Sequence, residues 1–160
     1  MIQLTHLGRR TSWSKGDWLP SISSGKHREP AHKAFPNVAE IWDIDRIIKE
    51  YGDAAERMKE GGMDGVELEG QGHLIGQFLS PLTNELETEY GGSFDNRLRF
   101  TIDVLTEIRK KVGKGMFNGY ISMWMKPIEV LDRFKKFEKL PDKAGWVYES
   151  KEKHRKKDRS

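Results

Sequence analysis

Ile44–Glu69, IDRIIKEYGDAAERMKEGGMDGVELE, changes its hydrophobic period part-way along. Ile44, Ile47, Ile48, Tyr51, Ala54, Ala55 and Met58 follow at spacings of 3, 1, 3, 3, 1 and 3, one apolar stripe at helical period. Asp43 or Asp45 can cap the start and Gly61-Gly62 supplies the stop, which predicts a helix over 45–60. Directly after it, Met63-Asp64-Gly65-Val66-Glu67-Leu68-Glu69 is short and reads as a strand. Further on, Leu98, Thr101, Ile102, Leu105, Ile108 and Val112 share one face of a second helix over about 95–112. Arg109, Lys110 and Lys111 lie in its last turn, where cations suit the helix dipole, and Gly113 ends it. Upstream, Gln3-Leu4-Thr5-His6-Leu7 is a candidate strand. Residues 8–42 form a long aperiodic stretch rich in Gly, Pro, Ser and Trp, a length of loop that is usually functional or disordered. Strand, loop, helix, strand, loop, helix is the order of βα units and a parallel sheet.

Composition narrows the class. The 160 residues suit one ordinary domain, yet only 36% are hydrophobic against 33% charged, so the core is thin for the length. No run approaches the about 18 apolar residues of a membrane span. The N-terminus has no apolar stretch of signal-peptide type, so a cytoplasmic chain is expected. Cysteine is absent, which removes disulfides, thiolate metal sites and cysteine nucleophiles. The net charge of +3 is concentrated at the end: Lys151 to Ser160 carry a net +4, leaving about −1 for the rest. This reads as a solvated basic tail over 149–160, not as a specific nucleic-acid surface. There is no GxGxxG cradle, no GxSxG elbow, and no HExxH or other metal-ligand spacing.

A denser pattern runs through the middle of the chain. It comprises Asp64-Gly65-Val66-Glu67-Leu68, Gly72-His73-Leu74-Ile75, Gln77-Phe78-Leu79-Ser80-Pro81, Thr83-Asn84, Glu89-Tyr90-Gly91-Gly92-Ser93 and Asn96-Arg97-Leu98-Arg99-Phe100. It resembles the Old Yellow Enzyme family of FMN-dependent oxidoreductases. Gln3-Leu4, His6 and Gly8-Arg9 resemble that family's third barrel strand. With Arg28-Glu29-Pro30-Ala31-His32 and Phe35-Pro36, the chain is similar to the branch of dimethylglycine and N-methylproline demethylases, near trimethylamine dehydrogenase and 2,4-dienoyl-CoA reductase. The resemblance covers about residues 2–113 and implies a partial (β/α)8 TIM barrel, strands three to four with their helices. A full barrel takes about 250 residues. Residues 114–148 are expected to diverge, with a weak helix on Ile128, Leu131, Phe134 and Phe137, and the whole is expected to be a truncated reading frame. The exposed edges of so short a sheet open a route to self-association, and independent turnover is not expected of it.

The resemblance also assigns roles. Gln3 matches a glutamine facing the flavin pyrimidine, a task suited to an amide that both donates and accepts; the alternative is a strand-end residue facing solvent. At the end of the fourth strand the family carries a His pair that stabilises a developing oxyanion. Here the first of those positions is Glu69, one residue is missing before Gly72, and the family's Tyr position is His73. A carboxylate cannot stabilise an oxyanion but can pair with a substituted ammonium, which implies an N-methylated amine or amino acid as substrate. The implied reaction passes a hydride from the N-methyl carbon to FMN and hydrolyses the iminium to formaldehyde and the demethylated amine. His73 is then an acid/base or a polar contact; the alternative for Glu69 and His73 is a solvated loop pair. Trp13 and Trp18 are candidates for part of a cation-accepting wall, with ordinary loop packing as the more common role of such aromatics. Tyr90, Asn96, Arg97 and Arg99 are expected to shape the loop into the second helix, with His6, Arg9 and Arg10 as scaffold or substrate-side groups.

Overall fold

The computed structural model describes residues 1–11, 20–31, 33 and 35–121. Its elements are β1 (Ile2–Leu4), a 3-10 turn (Gly8–Arg10), β2 (Ile22–Ser23), β3 (Asn37–Val38), α1 (Ile41–Glu60), β4 (Gly65–Glu69), α2 (Leu74–Leu79), α3 (Phe94–Val112) and β5 (Phe117–Ile121). β1, β4 and β5 form one parallel sheet in that order. Gln3 lies opposite Glu67 and Leu4 opposite Leu68, while Glu67 lies opposite Gly119 and Glu69 opposite Ile121. The basic tail, the helix expected near 128–137, and Trp13 and Trp18 lie outside the described residues. β5 falls within the stretch expected to diverge and pairs with β4 in parallel register.

The helical stripe is what the sheet is built against. Ile44, Ile47, Tyr51 and Ala55 of α1 are buried together with Val66 and Leu68 of β4. Leu98, Ile102, Leu105, Ile108 and Val112 carry α3 into the same core. Phe78 of α2 stacks on Phe100 of α3 with ring centroids 4.2 Å apart, and Tyr90 meets Phe78 edge-on. Alternation along β4 buries Val66 and Leu68 and turns Glu67 and Glu69 to the face opposite the helices.

The boundaries differ from the sequence reading in ways that have causes. α1 starts at Ile41, before the apolar stripe, because Asp43 caps from inside: its Oδ2 accepts the Glu40 N–H at 3.2 Å. Trp42 remains exposed on that first turn. The 8–42 stretch contains β2 and β3, a two-residue parallel pair extended by Asn37 N–H to Ser21 O and Ala39 N–H to Ser23 O. The short helix α2 went unread because six residues span less than two turns, too few to establish a period. Among the described residues no helix is long and apolar enough to cross a membrane.

Candidate functional site

Parallel pairing brings the C-terminal ends of β1 and β4 to one end of the sheet, and the chemically capable side chains gather there. Gln3 is exposed on the face opposite the helices and donates from Nε2 to Glu67 Oε1 at 3.1 Å. With the Glu67 oxygen as acceptor, the amide turns its NH2 end to the pair. Glu69, one row further on, is half-buried, and its Oε1 accepts the Gln71 N–H at 2.7 Å, which holds the carboxylate over the turn that leaves β4. His73 closes that turn immediately before α2, and its Nδ1 shares a 2.8 Å hydrogen bond with Thr5 Oγ1, just past β1. Leu74 N–H to His6 O, 2.9 Å, stitches the two strand exits together. The structure therefore brings Glu69 and His73 into one turn and places Gln3 beside Glu67, one row earlier on the neighbouring strand. No hydrogen bond or ion pair joins Glu69 to His73 among the described residues.

One residue that the sequence reading quotes only as part of the family pattern, with no role of its own, holds this end together. Gln77, 2% exposed, uses its whole amide. Its Oε1 accepts Arg9 N–H and Ser23 Oγ–H, both at 3.0 Å, and its Nε2 donates to Leu7 O at 3.2 Å and Gly72 O at 3.1 Å. Its backbone carbonyl also accepts from Ser24 Oγ and Thr83 Oγ1. Gly8 makes room for it: φ is +60°, and a Cβ there would lie 2.2 Å from Gln77 Oε1. A lone amide inside the apolar run Leu74–Leu79 was the available signal. Asn84 does a similar job nearby, donating to Phe78 O and Tyr90 O and accepting Leu86 N–H.

The residues expected to shape the loop do so where their contacts are described. Arg97 Nε donates to Leu79 O at 2.9 Å and its Nη1 to Gly92 O, Arg99 Nε donates to Glu89 O, and Tyr90 Oη donates to Asp103 Oδ2 at 3.1 Å. Burial, followed by the Asp103 carboxylate, pushes the Tyr90 phenol well above its ordinary range. Arg9 donates to His27 O, and Arg10 lies 3.8 Å from the buried carboxylate of Glu29. His6 accepts the Gly8 N–H at Nδ1, 3.0 Å, and burial, then the Arg46 guanidinium, lowers its pKa. His6 also lines a cavity of about 860 Å³ with Phe35, Trp42 and Arg46, and none of Gln3, Glu69 or His73 lines it.

The profile of the NADH:flavin oxidoreductase / NADH oxidase family matches residues 1–159. A probable N-methylproline demethylase of Rhizobium meliloti (strain 1021) is 71% identical over 113 residues, which is 71% of this chain and 17% of that protein. A multifunctional alkene reductase/demethylase of Caballeronia cordobensis is 47% identical over 120 residues, 75% of this chain and 18% of that protein. Among solved structures, morphinone reductase in complex with tetrahydroNAD superposes with a TM-score of 0.69 at 25% identity, covering 78% of this chain and 39% of the other. The chain thus spans under a fifth of the length of these two curated relatives.

Proposed function

The chain belongs to the NADH:flavin oxidoreductase / NADH oxidase family, and we propose that its residues form part of the active site of an FMN-dependent oxidoreductase that demethylates N-methylated amino acids. The carrying observation is the Glu69 carboxylate, held by Gln71 N–H at the C-terminal end of β4. In barrels of this architecture that end of the strands bears the chemistry. A fixed anion there repels a developing oxyanion and attracts a substituted ammonium, so it favours amine over enone chemistry. The 71% identity to a probable N-methylproline demethylase supports the same choice.

Gln3 is the residue that would meet the flavin. Gln3 offers an exposed amide on the face opposite the helices, and its pairing with Glu67 leaves its carbonyl oxygen for a donor on the pyrimidine edge. FMN, when bound, supplies the two-electron acceptor for the N-methyl C–H bond. Glu69 would orient the amine, and His73, steadied by Thr5 at Nδ1, leaves its other ring nitrogen as a polar or acid/base contact. Water then hydrolyses the iminium to formaldehyde and the shortened amine.

Titrating the full chain with FMN, followed by flavin fluorescence beside circular dichroism, tests this reading. Saturable binding weakened about tenfold by Gln3→Ala supports it, a change of about 1.4 kcal/mol. A folded chain that ignores FMN overturns it and favours the alternative of a non-catalytic piece without stable flavin binding, which the short span relative to the relatives also suits. Self-association is the second part of the reading. Among the described residues β1 and β5 are the outer strands of the sheet, and strand edges left unpaired recruit further strands. Light scattering should give a mass that rises with concentration; a constant monomer mass sinks that part.

A further inference from the structure

The turn that carries Glu69 and His73 has a cation on its other flank. Arg10 follows the Gly8–Arg9 segment out of β1, and its guanidinium lies over Gly72: a Cβ on that glycine would sit 3.7 Å from Arg10 Nη1. The placement is fixed from below. Gln77 accepts the N–H of Arg9, next to Arg10, and donates to the carbonyl of Gly72, next to His73, so one buried amide sets the distance between the two segments. Arg10 is not consumed by its ion pair. Its Nε stands 3.8 Å from Glu29 Oε1, beyond hydrogen-bond reach, and the side chain is 44% exposed whereas that of Glu29 is 7% exposed. The pair anchors the guanidinium at one nitrogen while Nη1 stays at the Gly72 turn. Glu69, across the same turn, is tied to Gln71 N–H and not to Arg10.

A guanidinium and a carboxylate thus flank one short turn without neutralising each other. That arrangement complements a zwitterion, and the planar fork of arginine suits a carboxylate better than a point charge does. We propose that Arg10 is a specificity-determining residue that receives the carboxylate of the amino-acid substrate while its ammonium faces Glu69. The site would then select N-methyl amino acids over simple N-methyl amines. The proposal rests on the reading of Glu69 given above.

Calorimetric titration of the full chain, saturated with FMN, with N-methylproline and with its methyl ester separates the two ideas. The ester keeps the ammonium and lacks the carboxylate. The acid should bind at least tenfold more tightly than the ester. Arg10→Gln should erase that preference and leave ester affinity unchanged, an internal control that the variant is folded, and Arg10→Lys should restore part of it. Equal affinities for acid and ester, or a preference that survives Arg10→Gln, overturn the role of Arg10 while leaving Glu69 in place. An ester whose affinity ignores Glu69→Gln, or failure of both ligands to bind, removes the amine site and the proposal with it.

Discussion

His6 couples the stability of the fold to pH. Its Nδ1 accepts from Gly8 N–H, and burial with Arg46 nearby holds its pKa below the ordinary 6.5. Below that value the unfolded chain takes up a proton that the folded chain refuses, so the histidine's contribution is complete above about pH 6.5 and declines as pH falls toward its folded pKa. The melting temperature should drop between pH 7 and pH 5, and His6→Gln should make that drop shallower; an identical slope would remove His6 from the account. At this scale Gln3, Glu69 and His73, which lie within β1, at the end of β4 and just before α2, were readable as candidates through the family resemblance. Thr5 and Gln77 were not, because their meaning lies in partners about seventy positions away: Thr5 meets His73, and Gln77 meets Leu7 and Arg9. Arg10 was readable only as a substrate-side or scaffold group, since the Gly72 turn that gives it a place is a product of the fold.

Elements were legible in proportion to how often their pattern repeats. The stripes of α1 and α3 recur over several turns, and both helices form, with Gly61-Gly62 and Gly113 as the expected stops. α2 offers too few residues to repeat, and β2 and β3 are set by pairing with each other and by Ser24 and Thr83 closing on Gln77. α3 begins where Ser93 Oγ accepts Asn96 N–H at 3.2 Å, and Asp95 adds a carboxylate to its first turn. Ser93→Ala should cost about 1 kcal/mol in chemical denaturation, while Ser93→Asp should hold near the original stability. Equal losses in both variants would mean that the hydroxyl does not cap. Arg109 serves the other end, donating from Nη1 to Gly113 O and Met116 O, so the last turn of α3 also fixes the approach to β5.

At the scale of the whole molecule, the described helices cover one face of the parallel sheet and the opposite face bears Gln3, Glu67 and Glu69. The βα order predicted the parallel pairing, because strands separated by a helix and a loop pair in parallel. The contacts that finish it are long in sequence, and that has a kinetic consequence. The side chain of Gln77 bonds Leu7, Arg9 and Ser23, positions 70, 68 and 54 residues away, and each bond waits for a large loop to close. Such an amide is desolvated early in collapse only at a penalty and is satisfied late, so its hydrogen bonds belong after the rate-limiting barrier. Gln77→Leu, which orphans Arg9 N–H, Leu7 O and Gly72 O, should cost about 3–5 kcal/mol. Nearly all of that loss should appear as faster unfolding in a stopped-flow chevron, with the refolding arm unmoved. A slower refolding arm would instead place the Gln77 cluster in the nucleus. If it forms last it also opens first, and the strand exits that carry Glu69, His73 and Arg10 are then a latch: the segment of the molecule that sets how long the folded state lasts once it has formed.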